Sequence, residues 1–207
     1  MIYTKFMSKK NTKSSLKEMV ESLPERYQPI YKNLEFSDNI SRVCDDRLDP
    51  IILIYNALAK KVKRPLRVLD LGAAQGYFSL CLAEIGATVK GVDHLDKNIA
   101  VCKKLASSFK ELDVNFHCGR IEEFIPEIKR GQYDLVLGLS VFHHMVHEHD
   151  ILFVRNIIKE LGNKITVGIF EFAQSTEPLY WGKSQPKDSL ELLQGCLLYT
   201  SPSPRDA

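Results

Sequence analysis

Three observations predict a parallel α/β fold. From residue 66 onward, short and almost continuously apolar runs alternate with segments of helical periodicity. The first run leads into a glycine-punctuated turn, "VLDLGAAQGYFSL", and the second ends on an acid, Asp93, 23 positions after Asp70. With 207 residues, 44% hydrophobic and 26% charged, the chain is long enough for one well-buried domain and short for two.

Along the chain, residues 1–20, which carry Lys9, Lys10 and Lys13, are expected to be a disordered, solvated start. Residues 21–64 are expected to form an N-terminal cap. Within it "SLPERYQPIY" (22–31) reads as a turn-rich lid and "LDPIILIYNALAKKV" (48–62) as a helix. The sheet domain is placed at 65–195. Its strands are "LRVLDL" (66–71), "TVKGV" (88–92), "VNFH" (114–117), "DLVLGL" (134–139) and "ITVGIF" (165–170). Helices are predicted at 77–85, 97–109 and 151–161, with a shorter one near 121–128. Strands this apolar are expected to be buried on both faces. No strand is legible between 172 and 194. The end, "CLLYTSPSPRDA", breaks with all that precedes it and resembles an in-frame translation of a sequencing adapter. Residues 196–207 are therefore expected to be an artefactual tail, the natural chain continuing differently past about Gln194.

Composition excludes several function classes. A net charge of +2, from 28 basic and 26 acidic residues, provides no field to hold nucleic acid or an anionic membrane. Five cysteines without a C-x-x-C pair, and no apolar core near Met1, predict reduced thiols in the cytosol. No apolar run approaches the roughly 20 residues of a membrane-spanning helix.

The glycine turn and the second acid together suggest a nucleoside site. Gly72 and Gly76 let the backbone turn sharply and approach a ligand, and Asp93 stands where a carboxylate can take both ribose hydroxyls. Charge then selects the nucleoside. A pyrophosphate at the turn would be repelled by Asp70, whereas S-adenosylmethionine brings an ammonium and a sulfonium. The turn reads Gly72-Ala-Ala-Gln-Gly76, without the G-x-G-x-x-G spacing of nicotinamide enzymes. Candidate cofactor residues are Asp70, Gly72, Ala73, Gln75, Gly76, Tyr77 and Phe78 around the turn, and Asp93 and His94 after the second strand. The plain alternative is a turn that merely joins strand to helix.

In these residues the chain resembles the class I S-adenosylmethionine-dependent methyltransferases from about residue 66 to 170. The resemblance implies a Rossmann-like class I methyltransferase sheet, here truncated before its last two strands, and S-adenosyl-L-methionine as cofactor. Ala74 stands where the family usually has glycine, and a small residue should still fit. "HCGRIEEF" (117–124) occupies the segment that edges the adenine, with Arg120 where many members have an acid, which shifts the contact to Ile121 and Glu122. Leu139, ending the fourth strand, completes the set.

"SVFHHMVHEHD" (140–150) follows that strand and holds four of the six histidines. His143 and His147, four apart, could supply two metal ligands, but no third ligand or H-E-x-x-H pattern accompanies them, and no metal is expected. His143 and His144 read either as acceptor-binding or proton-handling groups, or as structural hydrogen-bonders. His147 and His149 read as outward-facing or helix-entry residues.

A closer resemblance is carried by "ESLPERYQPIY", "CDDRLDPI", "GAAQGYFSL", "LDKNIAVC", "GRIEEF", "YDLVLGLSVFHHMVHEH" and "EPLYWGKSQPKD". Together they are similar to the bacterial O-antigen chain-terminating enzymes, which join a methyltransferase domain to a kinase-like domain. That resemblance implies methylation of a phosphate on the terminal sugar of the glycan, and a kinase-like domain in the full-length chain. It also implies a cytoplasmic location, with any membrane association peripheral at the inner membrane through a region missing here. The acceptor would be a phosphorylated glycan, with Tyr27, Arg47, His143 and His144 bonding its phosphate oxygens. Each has a plain alternative, such as Arg47 paired with Asp45 or Asp46 alone and Tyr27 packed in the core. The segment with Trp181 would face a sugar or pack as a structural loop. Competing readings are a methyltransferase for a small neutral hydroxyl or amine, which would need a histidine base, a binding module without turnover, and a nicotinamide oxidoreductase.

Overall fold

The computed structural model describes residues 15–36 and 38–195. The expectation of disorder through residue 20 fails from Ser15 on. Ser15 and Glu18 form a reciprocal capping box, Glu18 N–H donating to Ser15 Oγ at 3.2 Å and Ser15 N–H to Glu18 Oε2 at 2.9 Å. Helix α1 (Leu16–Glu21) follows and buries Val20. The expected artefactual tail, 196–207, and residues 1–14 lie outside the described residues.

Helix α2 (Asp45–Val62) starts three residues before the expected position and runs on past Pro50. Asp45 and Asp46 in its first turn and Lys60 and Lys61 in its last oppose the helix dipole favourably, and Ile51 and Tyr55 are its buried side. The remaining elements follow the predicted alternation: β1 (Arg67–Leu71), α3 (Tyr77–Glu84), β2 (Thr88–Asp93), α4 (Asp96–Ser108) and β3 (Val114–Cys118). Then come α5 (Ile121–Phe124), β4 (Leu135–Gly138), α6 (Phe142–Glu148), α7 (Ile151–Gly162) and β5 (Val167–Phe170). The five strands are parallel in the order β3-β2-β1-β4-β5. Their carboxyl ends line up along one edge, where Asp93, Gly138 and Phe170 close their strands.

Burial on both faces holds for β1 beyond Arg67 and for all of β4. It fails at the sheet edges: β3 buries Phe116 alone, and no residue of β5 is fully buried. An edge strand has one neighbour, and its apolar residues are half covered however apolar they are. Between 171 and 195 the chain forms two short 3-10 turns, Gly182–Ser184 and Ser189–Leu193, and among the described residues nothing pairs with the outer edge of β5. No helix among the described residues is long and apolar enough to cross a membrane.

Asp134, just before β4, ties the start of the central strands together. Arg64 donates to its two oxygens at 2.7 and 2.8 Å, and the backbone N–H of Arg67 donates at 2.8 Å. The Arg64 guanidinium, helped by Arg67 and against the effect of partial burial, holds this carboxyl well below the usual carboxylate range. A depressed carboxylate contributes stability that is complete above its unfolded value, about 3.9, and is lost as pH falls through the folded value. The melting-temperature gap between the wild type and Asp134→Asn should therefore be constant above about pH 5 and narrow in acid. A gap of the same size at about pH 2 would rule this out.

Candidate active site

The glycine turn follows from geometry at one position. Gly72 has φ +76°, and a Cβ there would come within 2.9 Å of Val141 Cγ2. Gly72 and Ala73 both donate N–H bonds to Val92 O at 2.9 Å, which folds the turn over the end of β2. Ala74 is also left-handed, φ +46°, where glycine would be the ordinary choice; its methyl group fits.

Asp93 ends β2 and is 7% exposed. Its Oδ2 accepts from Ala74 N–H at 2.9 Å, while Oδ1 accepts from Leu95 N–H at 2.9 Å and Asn98 Nδ2 at 3.2 Å. Of the roughly four acceptor sites of a carboxylate, three are used, which fixes the group and leaves capacity toward the cavity. Asn98 in turn accepts from Gln75 Nε2 at 2.7 Å, and Gln75 Oε1 accepts from Gln28 N–H at 2.9 Å. Gln28 Oε1 accepts from Tyr77 N–H at 3.1 Å, satisfying an orphan donor in the first turn of α3. The expected lid, 22–31, is thus tied to the glycine turn through buried polar groups.

A cavity of about 670 Å³ runs along the carboxyl ends of the strands, within the range of small-molecule sites. At the β2–β3 end it is bounded by Asp93, His94, Arg120, Ile121 and Glu122, and at its centre by Gly72, Gln75 and Leu139. At the β4–β5 end stand Tyr27, His143 and His144. These eleven predicted residues are brought to one space from five separate parts of the chain.

Six others are not on its wall. Asp70 is 3% exposed, accepts a 2.6 Å bond from Ser79 Oγ, and lies on the face of β1 that it shares with Val68, toward α3. Burial, partly offset by Ser79, pushes its pKa up to about 6. The expected direct repulsion of a pyrophosphate by Asp70 is thereby withdrawn, because strand alternation turns the carboxylate into the core. Ala73, Gly76 and Phe78 are buried around the turn, and Tyr77 packs edge-on against Phe78 at 5.6 Å. Arg47 lies over the Phe78 ring at 5.2 Å and reaches Asp46 at 3.8 Å, Val43 O, Cys44 and Glu171. Tyr27 is half-buried and faces the cavity, not the core.

The histidines separate by face of α6. His143 is buried against His144 and Trp181, ring centroids 4.1 and 4.4 Å away, and its pKa is lowered to about 4 by burial and then by His144. His144 is lowered too, chiefly by burial. His147 points outward, edge-on to Tyr180, and His149 stacks on Phe153 at 4.2 Å. His143 and His147, though four apart, diverge to different neighbours. Arg120 donates to Glu122 and, at 2.7 Å, to Glu148 of α6, so its guanidinium spans the cavity mouth between α5 and α6. Ile121, expected at the adenine, packs largely into the core and also lines the cavity.

Sequence reading missed Arg42, Ser140, Glu171 and Asn98 on the wall. Glu171 was legible by position, since it directly follows the fifth strand at the ligand-binding edge. Arg42 carries no local signal; the loop bonds Ser41 N–H to Arg26 O and Arg42 N–H to Tyr27 O bring it there.

Residues 68–162 match a family model described as a methyltransferase domain. The O-antigen chain terminator bifunctional methyltransferase/kinase WbdD of Escherichia coli is 46% identical over 184 residues, 89% of this chain and 26% of that protein. The chain thus spans about a quarter of the length of the curated relatives first matched. A ubiquinone biosynthesis O-methyltransferase of Bradyrhizobium diazoefficiens is 34% identical over 111 residues, 48% of this chain and 42% of that one. A crystal structure of WbdD superposes with TM-score 0.85 at 46% identity, covering 86% of this chain and 40% of that chain. The parallel sheet, the turn over its first strand and these likenesses agree: residues 68–162 match a methyltransferase domain, and the sheet is the Rossmann-like sheet of the class I methyltransferases.

Proposed function

We propose that this chain methylates the phosphate on the terminal sugar of a bacterial surface polysaccharide, the step that ends O-antigen growth. The observation that carries the reading is His143. Packed against His144 and Trp181, it is pushed by burial down to a pKa of about 4, which makes it a poor base for a neutral hydroxyl. A phosphomonoester, with a second pKa of about 6, needs no base, because it arrives as an anion. The likeness to WbdD over most of the chain supports the same acceptor.

S-adenosylmethionine supplies an electrophilic methyl group. Asp93 takes the ribose hydroxyls, with His94, Ile121, Arg120 and Glu122 around the adenine and Gly72, Gln75 and Leu139 beside the amino-acid portion. Tyr27, His143 and His144 hydrogen-bond the acceptor and hold it for in-line attack. Residues 21–64 act as the cap and 65–195 as the methyltransferase domain. The full-length protein adds a kinase-like domain, and works in the cytoplasm, peripherally at the inner membrane.

With labelled S-adenosylmethionine and a phosphorylated mannose-type glycan, the rate should rise with pH through acceptor ionisation near about 6 and then level. His143→Ala and His144→Ala should each retain part of the activity. Transfer to the unphosphorylated glycan, or none to the phosphorylated one, overturns this reading and favours a neutral acceptor.

A further inference from the structure

The β4–β5 end of the cavity holds a charged cluster outside the roles assigned above. Glu171, just past β5, accepts from Arg42, from Arg47 Nη1 at 3.3 Å and from Ser140 Oγ at 2.5 Å. Burial works to raise its pKa, yet Ser140 and the two guanidiniums hold it below the usual carboxylate range, so it is ionised. Ser140 adopts φ +53°, a conformation L residues seldom take, and its hydroxyl reaches Glu171 from there.

The two arginines differ. The Arg47 side chain is 11% exposed and is committed to the Phe78 face, Val43 O and Cys44. The Arg42 side chain is 26% exposed and lines the cavity. A guanidinium has five donors, and the bond to Glu171 leaves others to offer. Arg47 also meets Asp46 at 3.8 Å, so Arg42 is the guanidinium of the pair that lines the cavity, with its sign opposite to that of a phosphate. His143, the nearest titratable ring on α6, is neutral near pH 7 and does not supply that charge.

We propose that Arg42 binds the anionic oxygens of the acceptor phosphate, and that Glu171 is a positioning residue which holds the Arg42 guanidinium at the cavity wall until the phosphate shares it. This rests on the phosphate-acceptor reading and names the group that would recognise the phosphate. The Arg–phosphate pair suits a planar fork, and Glu171 restricts the fork before the acceptor arrives.

The test is calorimetry of inorganic phosphate and of phenyl phosphate binding to the 207-residue chain saturated with S-adenosylhomocysteine. Arg42→Gln should weaken binding by roughly tenfold or more, the scale of one charge-assisted hydrogen bond, and Arg42→Lys should restore part of it. Glu171→Gln keeps the shape but releases the Arg42 guanidinium from the cavity wall, so it should weaken phosphate binding by a smaller factor than Arg42→Gln. Arg47→Gln should change phosphate affinity by less than about threefold. The melting-temperature rise on adding S-adenosylhomocysteine, retained in Arg42→Gln, reports folding separately. Undiminished phosphate binding in Arg42→Gln, a loss confined to Arg47→Gln, or unchanged or tighter binding in Glu171→Gln overturns the proposal. If the wild type methylates a phosphorylated glycan while Arg42→Gln binds phosphate normally, this inference alone fails. If phosphate binding depends on Arg42 but no phosphorylated glycan is methylated, the acceptor reading alone fails.

Discussion

Asp93→Ala is expected to lose S-adenosylmethionine affinity by about 1.5 to 3 kcal/mol, roughly 10- to 150-fold, the scale of a hydrogen bond to a charged group. The variant should also melt lower without any ligand. Asp93 accepts from the backbone of Ala74 and Leu95 and from the Asn98 side chain, so truncation strands three donors in a nearly closed place. Asp93→Asn keeps the volume and one acceptor oxygen and should fall between the two. Calorimetry and thermal melting on the three proteins separate the effects. Affinity unchanged in Asp93→Ala would remove the basis for assigning the ribose to this carboxylate.

Phe142→Ala should be the more damaging change to the fold, by about 3 to 5 kcal/mol in urea unfolding. Phe142 is fully buried, meets Phe170 edge-on at 5.3 Å and Phe172 at 5.7 Å, and fills the space over Gly138, where an added Cβ would come within 2.6 Å of its ring. It joins the ends of β4 and β5 to α6. His143 is the next residue, so methyl transfer to the acceptor should fall further than S-adenosylmethionine binding. A cost below about 1 kcal/mol would mean that the three rings do not form the packed joint described.

Much of the fold was legible because its signals are local. The apolar runs marked all five strands to within two residues at each end, and Gly72 and Gly76 marked the turn. The capping box of Ser15 and Glu18 was equally local, but a lysine-rich approach obscured it. Burial was read less well. The composition of "VNFH" and "ITVGIF" resembles that of the central strands, and only the strand order reveals that β3 and β5 stand at the edges.

The site divides in the same way. By itself the sequence determined the class of fold and the residues at the β2–β3 end of the cavity, because the glycine turn, Asp93 and Ile121 each sit near a strand end whose place is set by chain order. Tertiary structure alone decided which charges face the cavity. It turned Asp70 inward by strand alternation, committed Arg47 to an aromatic face, and brought Arg42 from a loop to Glu171, 129 residues away. The physical reason is that periodicity records which side of an element is apolar, while a charge meets its partner only after the chain has closed on itself. The electrostatics of the β4–β5 end of the cavity therefore have no counterpart in any short stretch of sequence.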